Sequence, residues 1–127
     1  MKKFTDSHEW VEMETSTLAR IGISQYAQKE LGEIVYVELP KEKSFITSGQ
    51  EAAVLESTKA AADIYSPVSG QVVAVNPALF SAPQLVNQSA EEQGWLFKVE
   101  ISNSLEVEKL MELKTYIAMV TGSLPLD

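Results

Sequence analysis

The chain has 127 residues, 45% of them hydrophobic, which reads as one soluble domain over 1–127, long enough to bury roughly two-thirds of its unfolded surface. With no cysteine and His8 as its one histidine, it excludes disulfides, thiolate metal sites, a cysteine nucleophile and a zinc cluster. A net charge of −8 repels a phosphate backbone, so nucleic acid is a poor partner, and no apolar stretch is long enough to span a bilayer.

The opening Met1-Lys2-Lys3-Phe4-Thr5-Asp6 has neither the apolar run of a signal peptide nor the arginine-rich character of a transit peptide, and the expected location is the cytoplasm. Residues 10–13 and 18–23 are short apolar runs separated by the polar Glu14-Thr15-Ser16, which predicts a hairpin. Ser24 is placed to cap a short helix over 25–31 that Gly32 stops. Residues 34–37 are strongly strand-forming and end at Pro40; Phe45-Ile46 and 52–55 add short strands. The string Gly32-Glu33-Ile34-Val35-Tyr36-Val37 repeats as Gly70-Gln71-Val72-Val73-Ala74-Val75, so a turn glycine feeds an apolar strand twice, as in a two-sheet β domain with rough internal symmetry.

Asn76-Pro77 ends the second copy, and residues 81–83 and 89–94 read as loops around a stretch, 83–87, that has room for a helical turn. In 95–101 the odd positions are large and apolar while Lys98 and Glu100 face the other way, the pattern of a half-buried strand. From Ser102 or Asn103 a helix is predicted, with Leu110, Leu113, Ile117 and Val120 as its packing stripe and Gly122 with Pro125 at its end.

The remaining stretch, 56–70, reads as a strand, a tight tip bearing Lys59, a second strand and a Pro/Gly turn. Most lysines at hairpin tips are solvated charges that protect sheet edges. Here the surrounding residues say more. Glu56, Ser57, Lys59, Ala60, Asp63, Ile64, Tyr65 and the run Ser66-Pro67-Val68-Ser69-Gly70 resemble the lipoylation site of the glycine cleavage system H protein family. His8-Glu9-Trp10, 22–28, 31–40, Leu85-Val86-Asn87 and Gly94-Trp95-Leu96 resemble further landmarks of that family, in family order and over nearly the whole chain.

The resemblance implies a mostly β fold: a barrel-sandwich hybrid of two antiparallel sheets with a short internal helix and a C-terminal helix, and with the lysine on a hairpin. It further implies lipoate as a covalent amide on Lys59, an arm on the order of 14 Å long, and a monomeric carrier with no catalysis of its own. Such a carrier would take an aminomethyl group from a pyridoxal-phosphate glycine decarboxylase to a tetrahydrofolate-dependent aminomethyltransferase. Dihydrolipoyl dehydrogenase would reoxidise the arm, and a lipoate ligase or lipoyltransferase would attach it. Glu14, Ser57, Thr58 and Asp63 are candidates for sheltering the loaded arm, and Glu56 and Asp63 for recognition of the hairpin. His8 is assigned no catalysis, since a histidine without a cleft and a partner is no general base.

The chain departs from the family pattern at Thr58, which replaces an apolar β-branched residue, at Ala62, where serine is common, and over Ser89-Ala90-Glu91-Glu92-Gln93. The loop weakens the expectation of a complete glycine cleavage system, because partner contacts often lie on loops. Two alternatives therefore stand: an H-like carrier that relays lipoyl groups to other lipoate-dependent enzymes, and an unmodified protein-binding β domain. Biotin is disfavoured, since Lys59 lies between Thr58 and Ala60 and not between methionines.

Overall fold

The computed structural model describes residues 1–122. Its chain opens with Lys2–Phe4 (β1), a strand too short to be legible by alternation. The apolar runs that follow form the expected hairpin of Glu9–Met13 (β2) and Leu18–Ile23 (β3), with Trp10 opposite Gly22 and Met13 opposite Ala19. Its polar turn closes on the Thr15 hydroxyl, which accepts from the amides of Thr17 and Leu18. Ser24 caps Gln25–Leu31 (α1) as expected, its Oγ accepting from the Ala27 amide at 3.1 Å. Gly32 ends that helix at φ 84°, a conformation that glycine adopts without a Cβ penalty.

Ile34–Glu38 (β4), Phe45–Ile46 (β5), Glu51–Ser57 (β6), Ala61–Tyr65 (β7) and Gly70–Val75 (β8) follow. The two copies of the repeated string become β4 and β8, which lie in different sheets. Both strands carry a bulge at the equivalent residue, Val35 in one and Val73 in the other. The bulged valines turn outward, at 50% and 42% exposure, while Ile34 and Val72 before them are fully buried. Gly70 serves a different need from Gly32: a Cβ there would lie 2.1 Å from the Glu100 carbonyl, so only glycine admits β8 beside its neighbour.

Beyond Asn76 come two single-turn helices, the unforeseen Ala78–Ser81 (α2) and Leu85–Gln88 (α3), where a helical turn was expected. The strand predicted over 95–101 is narrower, Phe97–Ile101 (β9), with Phe97 and Val99 buried on its inner face. The single helix predicted from Ser102 or Asn103 is broken in three: Leu105–Glu108 (α4), Met111–Glu112 (β10) and Leu113–Thr121 (α5). The break has a tertiary cause. Met111 and Glu112 pair with Phe4 and Lys3 of β1, and the Glu106 carboxylate accepts from the Ser69 amide at 2.7 Å and its hydroxyl at 2.8 Å. The predicted stripe is corrected in part with it: Leu110 and Val120 pack against the buried clusters as expected, and the other two members do not. Leu113 and Ile117 are 51% and 47% exposed, whereas Tyr116 is buried and stacks on Phe4 at 4.6 Å. Gly122 does cap α5 in the left-handed conformation; Pro125 lies outside the described residues.

Among the described residues the strands form two antiparallel sheets, one of seven strands in the order β10-β1-β2-β3-β9-β8-β5 and one of three in the order β4-β6-β7. Their inner faces share one apolar cluster, with Val11, Ile21, Val72, Phe97 and Val99 from the larger sheet and Ile34, Val37, Leu55 and Ile64 from the smaller. The fold is mostly β, and the packing leaves the β6–β7 hairpin projecting with its base in the core and its tip in solvent. No helix of the described residues is long and apolar enough to cross a membrane.

Candidate functional site

The tip between β6 and β7 is built by Ser57. Its amide donates to the Ala60 carbonyl at 2.8 Å, and its hydroxyl accepts from the amides of Lys59 and Ala60, both at 3.1 Å. Below it, Leu55 opposite Ala62 and Ala53 opposite Ile64 seat the hairpin in the core. One side-chain oxygen thus organises the turn, and Thr58, Lys59 and Ala60 are left exposed. Lys59 is therefore presented on a rigid base, with its amine free to meet another protein.

The tip also rests on the helix end beside it. The Thr58 amide donates to the Glu33 carbonyl at 3.0 Å, and the Lys59 stem lies so close to Gly32 that a Cβ there would stand 3.1 Å from its Cε. Along the outer edge of β7 runs a cleft of about 270 Å³, walled by Ala62, Asp63 and Ile64 on one side and by Tyr26, Ala27, Glu30 and Leu31 of α1 on the other. Ser7 and His8 close it. The spacing of Tyr26 with Glu30 and of Ala27 with Leu31 puts one polar and one apolar rail along the helix.

The α1 wall is held at its start by a chain of hydroxyls. Tyr116 Oη is 2.5 Å from Ser24 Oγ and 2.8 Å from His8 Nδ1, and the Glu91 carboxylate accepts from the Gln25 amide at 2.9 Å. Burial pushes the Tyr116 hydroxyl above its ordinary range. His8 adopts φ 80°, unusual for a residue with a side chain, and its ring also packs 5.0 Å from Tyr26. The altered loop 89–93 is thus part of the frame, since it supplies Glu91, and the Ala90 carbonyl accepts from the buried Trp10 indole at 3.1 Å.

Of the residues predicted for the site, Ser57, Thr58 and Lys59 share the tip, Asp63 lines the cleft, and Glu56 is exposed on the hairpin. Glu14 stands apart in the β2–β3 turn, where Lys98 Nζ lies 3.0 Å and Arg20 Nε 3.8 Å from its carboxylate, and it is not among the residues lining the cleft. Glu12, its neighbour in that network, is held below the usual carboxylate range chiefly by the Arg20 hydrogen bond.

Two acids given no role in the sequence reading stand near the hairpin: Glu30, which lines the cleft, and Glu9. Glu9 is buried, accepts from the hydroxyls of Thr5 and Ser7 at 2.6 Å each, and takes the Tyr65 amide at 3.4 Å, at the foot of the lysine hairpin. It lines a second cleft of about 450 Å³ with Phe4, Ser48, Tyr65 and Lys109. The signal available for it is an acid preceded by the hydroxyl residues Thr5 and Ser7 and followed directly by a core tryptophan; its meeting with β7 is not local.

The fold and the tip define a small two-sheet β domain that presents one lysine from a rigid hairpin. A family model described as Glycine cleavage H-protein matches residues 2–122. The glycine cleavage system H protein of Saccharophagus degradans is 48% identical over 118 residues, covering 93% of this chain and 91% of that protein. The one from Thermotoga maritima is 47% identical over 116 residues, covering 91% and 93%. A crystal structure of a glycine cleavage system H protein from Mycobacterium marinum superposes with a TM-score of 0.85 at 31% identity, covering 95% of this chain and 96% of that one. The chain belongs to the glycine cleavage H-protein family. The function of that family is to carry a lipoyl group in glycine cleavage, as a carrier and not as a catalyst.

Proposed function

We propose that this chain, as one domain over 1–127, carries lipoate as an amide on the Lys59 Nζ and serves glycine cleavage as a cytoplasmic monomer. Its partners on this reading are glycine decarboxylase, aminomethyltransferase and dihydrolipoyl dehydrogenase, with a lipoate ligase or lipoyltransferase to modify it. The observation that carries the reading is the tip itself. Lys59 is exposed on a turn that the Ser57 hydroxyl holds from below, which suits an acceptor lysine that must enter a ligase without dragging its hairpin out of shape.

The residues present fit such a group. The Lys59 stem occupies the space that a side chain at Gly32 would fill, and Gly32 follows directly on Leu31 of the cleft wall, so an arm extended from Nζ has the cleft between α1 and β7 within its reach. When bound, lipoate supplies the disulfide and dithiol chemistry that a cysteine-free chain lacks. The rest is the work of the protein. Ala27, Leu31 and Ile64 offer an apolar wall to the arm, while Asp63 and Glu30 offer carboxylates to an amine carried at its end. Asp63 is thus retained as a sheltering residue. Glu14, held by Lys98 and Arg20, is replaced in that role by the acids that line the cleft. Glu56, exposed on the hairpin beside the tip, is kept as a recognition residue for the modifying enzyme. Tethering holds the cargo near each partner site at high effective concentration.

The test is an intact mass after incubation with lipoate, ATP and lipoate ligase. Wild type gains one lipoyl amide and Lys59→Arg gains none. An unmodified wild type, with the ligase active on another acceptor, would instead favour the protein-binding alternative.

A further inference from the structure

The string Leu85-Val86-Asn87 is a sequence landmark to which neither the sheets nor the cleft assigns a task. Val86 is consumed by the core. Asn87 is not: its side chain reaches across to the irregular link between α1 and β4. Its Oδ1 accepts from the Ile34 amide at 2.9 Å, and its Nδ2 donates to the Gly32 carbonyl at 2.8 Å and to Gln28 Oε1 at 3.0 Å. An amide is suited to this, because it offers an acceptor and two donors on a short stem; a carboxylate would keep the first bond and lose the others.

The clamped link is the ledge under the lysine tip. Between the two backbone groups that Asn87 holds lies Glu33, whose carbonyl receives the Thr58 amide, and the Lys59 stem lies on Gly32. The amides of Lys59 and Ala60 close on Ser57 within the turn, so the tip is tied to the rest of the domain by the Thr58 bond and by the pairing of Ser57 with Ile34, both on the link that Asn87 clamps. We propose that Asn87 is a positioning residue for Lys59: through Gly32-Glu33-Ile34 it sets the height and register at which the lysine is presented. The inference rests on Lys59 being the lipoyl attachment point, and it adds a residue distant in sequence to the presentation of that lysine. A presented tip that is already ordered costs the modifying enzyme less to bind.

The experiment compares Asn87→Asp with Asn76→Asp. Asn76 is the control, a more deeply buried asparagine whose amide instead bridges the carbonyls of Gln93 and Trp95 at 2.8 and 2.9 Å. Two quantities are read on the apo protein: hydrogen exchange of the Thr58 amide relative to the Val11 amide of β2, and kcat and KM for acylation by lipoate ligase. For Asn87→Asp, Thr58 exchange is expected to rise about tenfold, and KM to rise about tenfold with kcat little changed. Asn76→Asp is expected to lower the unfolding midpoint and leave both quantities at wild-type values. Asn87→Asp values within about twofold of wild type, or equal changes from Asn76→Asp, would overturn the proposal. If Asn87→Asp does not fold, Asn87→Ser, which replaces the amide by a shorter, uncharged hydroxyl, is read against the same limits. A wild type that is not acylated would remove the lipoyl reading, and the Thr58 exchange would still decide whether Asn87 orders the tip.

Discussion

Ser57 has a greater share in the presentation of Lys59 than any other side chain at the tip. It is half-buried, and its hydroxyl meets two amides of the turn that otherwise have only water. Replacing it by alanine leaves those amides to solvent, so the cost to global stability is small, about 1 kcal/mol. The local consequence is larger: the turn loses its template, and the kcat/KM for acylation of Lys59 by a lipoate ligase should fall by about tenfold. Equilibrium urea unfolding and ligase kinetics on Ser57→Ala measure the two effects separately. Thr58, by contrast, contributes through its backbone amide, so the exchange of an apolar family residue for threonine leaves the tie to Glu33 in place.

At the scale of elements, α1 is the wall of the cleft, and α5 holds it in place through Tyr116. Burial raises the pKa of that hydroxyl above its ordinary 10.0, so the fold favours the neutral form. The stabilisation is then complete below the ordinary value and is lost as pH rises through the folded one. Wild type should show a stability that declines at alkaline pH, and Tyr116→Phe should lose about 1–2 kcal/mol at neutral pH while losing that alkaline slope. Thermal melts across pH 8 to 11, on the order of the tyrosine range, follow both.

The elements also mark where local reading succeeds. The hairpin, the capped α1 and the repeated strands were legible because each is specified by neighbours in sequence: Ser24 with Ala27, Gly32 after a helical run, and the short apolar runs that flank Lys59. The C-terminal stretch was not. Its helical periodicity is genuine, but pairing of Met111 and Glu112 with β1 and the Phe4–Tyr116 stack decide the outcome, and none of these partners is near in sequence. Glu9 and Glu14 differ in the same way. Each is an acid of the N-terminal hairpin, and the approach of Tyr65 to one and of Lys98 to the other, both distant in sequence, helps to separate their surroundings.

For the whole molecule, two sheets share one core, and the lysine hairpin is an extension of that core. Leu55 is fully buried beneath the tip and opposite Ala62, so Leu55→Ala should destabilise the domain by about 2–5 kcal/mol, measured by urea unfolding. The most direct test of the carrier role uses lipoylated protein with glycine decarboxylase, aminomethyltransferase, tetrahydrofolate and glycine, and follows ammonia. The account predicts ammonia release in proportion to lipoylated wild type and none with Lys59→Arg. Full lipoylation without ammonia, while a relative's lipoylated H protein supports the reaction under the same conditions, would contradict it and leave lipoyl relay as the function.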